Sequence, residues 1–90
     1  MEVEKFLFAL EETITYLRTS QASDPSQMST GEIIRRLEAE AAKAKRSVPL
    51  DVNLLDRLFA STGPIQEISI HNAWGTKFLR IAEVVDEYTR

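Results

Sequence analysis

Residues 2–18 read Glu2-Val3-Glu4-Lys5-Phe6-Leu7-Phe8-Ala9-Leu10-Glu11-Glu12-Thr13-Ile14-Thr15-Tyr16-Leu17-Arg18, and Val3, Phe6, Leu7, Leu10, Ile14 and Leu17 recur at spacings of three, one, three, four and three. At 3.6 residues per turn these six project onto one stripe about 100° wide, whereas a strand would alternate with a period of two. The spacing predicts a helix over 2–18. A helix with one apolar stripe must bury it against another element, so the fold turns on what the rest of the chain offers.

The next residues, Thr19-Ser20-Gln21-Ala22-Ser23-Asp24-Pro25-Ser26-Gln27, are polar, carry a proline and show no apolar period, which predicts a polar loop over about 19–28. Ser29-Thr30-Gly31-Glu32 then matches a capping box. It opens a second predicted helix over 30–46, whose apolar face is Ile33, Ile34, Leu37, Ala41 and Ala44, with Val48 at its margin. After a turn at Ser47-Val48-Pro49, Asp51 is a plausible N-cap for a shorter helix over 51–61 carrying Leu54, Leu55, Leu58 and Phe59, with Gly63-Pro64 as its stop. From Asn72 a last helix is predicted over 72–89, with Trp74, Phe78, Ile81, Val85 and Tyr88 spaced four, three, four and three.

Residues 65–70 are ambiguous. Gln66-Glu67-Ile68-Ser69-Ile70 partly alternates as a strand would, yet no second segment pairs with it, and a lone strand leaves its backbone groups unsatisfied. A helical turn or irregular stretch is favoured, the alternative being a strand paired with its copy across a dimer axis. The sum is an all-α, single-domain chain over 1–90, a small bundle of about four amphipathic helices.

Composition narrows the chemistry. The chain has 90 residues, a formal net charge of −3, no cysteine and one histidine, with 43% hydrophobic and 28% charged residues. Thiolate chemistry, disulfides and cysteine metal sites are excluded, and a core of this size leaves little room for a deep pocket, so no cofactor is expected. The acidic start lacks a basic region followed by an apolar run, and no stretch approaches the roughly 18 apolar residues of a membrane span. Cytoplasmic residence without membrane contact is the expectation.

Candidates for catalysis are sparse. His71 beside Trp74 is the most unusual string, yet a histidine near a helix start ordinarily caps backbone or packs, and no Ser or Asp stands at a spacing that implies a nucleophile–base pair. Glu83, Asp86 and Glu87 share one helical side but lack the alternating oxygen ligands of a calcium loop, and read as a solvated face. The chain is expected not to be an enzyme and to hold no metal.

Two surface features remain. Residues 31–47 carry five basic against three acidic residues, and Arg35, Arg36, Lys43 and Arg46 project opposite Ile33, Leu37 and Ala44, a candidate basic face. Glu32 and Glu40, three or four residues before these cations, predict intrahelical ion pairs instead. Off the stripes, Phe8 points about 150° and Tyr16 about 130° from the centre of the first stripe, and Leu79 about 120° from the last. These three are the candidate partner-binding residues.

The functional expectation is a small non-catalytic protein–protein interaction module, an adaptor or an inhibitor that masks a basic partner surface. Its partner would be another protein or a second copy of the chain. The alternatives are a nucleic-acid-associated protein using the basic face, for which an acidic chain is poorly suited, and a homodimeric assembly domain.

Overall fold

A computed structural model describes residues 2–21, 28–61 and 63–90, and over them the chain forms five helices and no strand. They are α1 (Glu2–Arg18), α2 (Thr30–Lys45), α3 (Val52–Leu58), α4 (Pro64–His71) and α5 (Gly75–Thr89). Most of the predicted 19–28 loop, residues 22–27, lies outside the described residues.

α1 is the central element, packed on α2 along one side and on α5 along the other. This explains why its buried face is wider than the stripe: Phe6, Leu10, Ile14 and Leu17 are buried as the spacing requires, and Ala9 and Thr13 are buried with them. Thr13 is accommodated because its Oγ1 donates to the Ala9 carbonyl at 2.8 Å, so no polar hydrogen is stranded in the core. Val3 and Leu7 lie at the margin.

α2 begins where the capping box places it, Ser29 Oγ accepting from the Glu32 amide at 3.1 Å. Glu32 turns its carboxylate to Arg36 at 3.2 Å. The helix ends in a Schellman motif: Ser47 takes a positive φ of 57°, the Val48 amide reaches back to the Lys43 carbonyl at 2.9 Å, and the Ser47 amide reaches Ala44. Val48 is thereby past the helix and exposed, and does not extend the apolar face as its spacing suggested.

The sequence reading needs correction at two junctions. The third helix closes at Leu58 rather than 61, and Gly63-Pro64 starts a further helix instead of merely ending the previous one. Gly63 is the N-cap of α4 and Pro64 sits in its first turn, where the missing amide hydrogen costs nothing. A Cβ on Gly63 would lie 2.7 Å from the Arg57 carbonyl oxygen and 2.9 Å from that of Ala60, so only glycine fits the α3–α4 corner. The segment 65–70 is helical, and the strand alternative falls: Ile65 and Ile68, three apart, are buried together while Ile70 faces outward.

The last helix starts at Gly75, not Asn72. Asn72 instead caps the C-terminus of α4, and Ala73 takes a positive φ of 67° in a second Schellman motif, the Trp74 amide bonding the Ser69 carbonyl at 2.8 Å. Trp74 is the N-cap residue of α5, its carbonyl accepting from Phe78, and its indole is buried. Gly75 lets α5 start close against α4, since a Cβ there would meet Ile70 Cγ1 at 3.3 Å. The core closes with Phe59 and Phe78 stacked at 6.3 Å, and Phe6 with Tyr88 at 4.4 Å.

Candidate interaction surface

α5 carries the candidate surface because its two flanks meet different neighbours. On the α1 side, Phe8 projects from the outer face of α1 and is 66% exposed. It stands over a shallow groove that includes Glu4, Lys5, Glu12, Arg80 and Val84. Glu12 and Arg80 fasten the two helices across this groove with an ion pair at 2.8 Å. The hydrogen bond to Glu12, and then its charge, hold the Arg80 guanidinium still more firmly protonated than usual.

On the α3 side, Leu79 is 60% exposed at the edge of a groove between α3 and α5. Leu55, Phe59 and Val85, all buried, make its floor. Asp56 from α3 and Glu83 and Asp86 from α5 stand along its margins, and no lysine or arginine lines it. Asp86 is met by Arg90 one turn later at 2.8 Å, an exposed pair. Asp56 and Glu83 enter none of the ion pairs among the described residues.

Tyr16 has a different environment. It is half-buried, stacked on Trp74 at 4.9 Å and 15°, with the Lys77 ammonium 5.7 Å from its ring centre. Behind it the Trp74 Nε1 donates to Ser20 Oγ at 2.9 Å, and Ser20 Oγ donates to the Tyr16 carbonyl at 2.8 Å. Asn72 completes the corner, its amide group exchanging two hydrogen bonds with the backbone of Gln21. The three partner-binding candidates are therefore not gathered into one patch: Phe8 and Leu79 lie on opposite flanks of α5, and Tyr16 fastens the end of α1 to the α4–α5 junction.

The candidate basic face is interrupted. Arg35, Arg36 and Lys43 border a cleft that also contains Glu32, Glu40 and Asp51, and Arg46 lies beyond its lining. Lys43 is bound to Glu40 at 2.8 Å. Glu40 is 2% exposed, and its second oxygen accepts the Asp51 amide at 2.8 Å, tying the end of the α2–α3 connection to α2. Asp51 in turn caps α3 by accepting from the Leu54 amide. Sequence spacing reads Glu40 as one half of a surface ion pair. Nothing local announces that α3 begins against it.

His71 is exposed at the end of α4, and Glu83, Asp86 and Glu87 all face solvent. Among the described residues no group of three histidine or carboxylate side chains is placed to hold a metal ion. Among the same residues no helix is long and apolar enough to cross a membrane. No protein family, curated protein or solved structure matches this chain.

Proposed function

We propose that this protein is a non-catalytic, cytoplasmic protein–protein interaction module, an adaptor or inhibitor that engages its partner through the flanks of α5. One observation carries the reading: Phe8 and Leu79, on pinned helices of a well-filled core, are left 66% and 60% exposed. Large apolar side chains held out on rigid helices add contact area at little conformational cost, which is the property of interface anchors.

The test compares wild type with Phe8→Asp and Leu79→Asp as immobilised baits, each verified as folded by circular dichroism, against extract from the host. A protein captured by wild type and lost from one variant is the expected result. Capture by wild type and both variants alike overturns the reading.

A second reading, self-association, is favoured by one feature of the α1 flank. Lys5 and Arg80 balance Glu4 and Glu12 around Phe8, so two copies related by a two-fold axis would meet there without net repulsion. Light scattering across a concentration series decides it, since only a self-interface gives a mass that rises with concentration and falls to the monomer in Phe8→Asp.

A further inference from the structure

The α3–α5 groove has a shape and a charge that together specify an occupant. Its floor is apolar, formed by Leu55, Phe59 and Val85, and Leu79 forms a raised apolar edge. Every charged side chain lining it is a carboxylate: Asp56 on one margin, Glu83 and Asp86 on the other. The α1–α5 groove on the opposite flank has cations and anions in equal number, so the one-sided charge is a property of this groove and not of the surface at large. From Leu79 to Thr89 the α5 margin runs about 15 Å, the length of roughly three helical turns.

We propose that this groove docks a basic amphipathic helix of a partner protein, with the apolar face of that helix on Leu79 and the floor and its flanking lysines or arginines against Asp56, Glu83 and Asp86. The proposal rests on the interaction-module reading and names the partner's chemistry. An apolar stripe alone would accept many helices. The three carboxylates reject an acidic helix by like-charge repulsion and favour a basic one, so charge supplies the selectivity and apolar contact the grip. A second copy of this chain meeting it groove to groove does not fit, because two such grooves bring six carboxylates together, and the apolar faces of its helices are already buried in its own core. The Asp86–Arg90 pair is no obstacle: it is exposed at both ends, where an ion pair contributes little, and Arg90 can yield Asp86 to an incoming cation.

The test uses synthetic amphipathic peptides of about 14 residues, one of leucine and lysine and one of leucine and glutamate at the same positions, with fluorescence anisotropy as the readout. The leucine–lysine peptide should bind, and the leucine–glutamate peptide should bind at least about tenfold more weakly. Leu79→Ser, which removes apolar surface without adding charge, should weaken the basic peptide several-fold. The triple variant Asp56→Asn, Glu83→Gln, Asp86→Asn should weaken it about tenfold, whereas Glu11→Gln, Glu38→Gln, Glu67→Gln, with the same change in net charge elsewhere, should change it less than about threefold. All seven positions are exposed, so the variants are expected to fold.

Equal losses in the two triple variants would show attraction to the acidic protein as a whole and overturn the groove. Unchanged binding in Leu79→Ser would do the same. A host protein captured through Phe8 in the bait experiment, beside a groove that fails these tests, would retain the interaction module and remove only its basic-helix partner. Failure of both experiments removes both.

Discussion

Glu40 is the only charged side chain among the described residues that the fold buries, and both its oxygens are occupied, by the Lys43 ammonium and the Asp51 amide. A buried carboxylate with full hydrogen bonding contributes little net stability, but removing it strands its partners. Glu40→Ala should therefore lower the unfolding free energy by about 3 kcal/mol, and Glu40→Gln, which keeps an acceptor for Asp51, by about 1 kcal/mol. Urea denaturation of the pair checks this, and equal losses would mean that the amide bond at Asp51 is unimportant. Ser47 and Ala73 present the opposite case. Each occupies the left-handed position of a Schellman motif with a side chain that disfavours it. Ser47→Gly and Ala73→Gly should each stabilise the protein by about 0.5–1 kcal/mol, read as a higher denaturation midpoint; a loss in both would contradict the cap geometry.

At the scale of elements, the corners are held by specific short contacts rather than by extended packing. Gly63→Ala should cost about 2–3 kcal/mol, because its Cβ would collide with two backbone carbonyls that cannot swing aside. Asn72→Ala should cost about 1–2 kcal/mol, since Asn72 bonds Gln21 and the Ile68 carbonyl at once. Its sharper signature is local: the Gln21 amide should exchange its hydrogen faster in the variant, measured by NMR, and unchanged exchange would mean that this clasp is not what protects it. These corners also mark the limit of what the sequence discloses. The all-α class, the start of α2 at Ser29 and the Asp51 cap are legible because apolar period and cap chemistry are local properties. α4 is not, because Gly63-Pro64 ends one helix and starts the next within two residues, and Ile65, Ile68 and Ile70 fit a short helix and a short strand alike. For the candidate surface, angular projection places Phe8 and Leu79 outside correctly. Tyr16, whose angle is as wide, is also left partly exposed, and what the projection misses is its stacking partner Trp74, which comes from the far end of the chain. The acidic groove was equally out of reach, since Asp56 and Glu83 become neighbours only once α3 lies against α5.

For the whole molecule, the question is whether so few short helices act as one unit. α1 contacts both α2 and α5, and α5 contacts α1, α3 and α4, so these two helices link all five, with α3 and α4 also touching directly. The Cα radius of gyration of 12.0 Å matches the value of about 12 Å that a chain of this length takes when fully compact. Trp74 reports on this arrangement from a single place: it is buried, stacks on Tyr16 of α1 and bonds Ser20, while lying between α4 and α5. Because the Trp74 corner joins both ends of the chain, its opening should coincide with loss of the bundle. Thermal unfolding followed by tryptophan fluorescence and by far-ultraviolet circular dichroism should then give the same midpoint. Phe6→Ala, which empties the core where α1 meets Tyr88, should lower both midpoints together by more than about 10 °C, at a cost of about 3–5 kcal/mol. Phe8→Ser, two residues on but facing solvent, should move neither by more than about 4 °C. If fluorescence changed first in Phe6→Ala while helicity persisted, the α1–α4 corner would be a separately opening unit, and the exposed anchors Phe8 on α1 and Leu79 on α5 would sit on a hinge instead of a rigid scaffold.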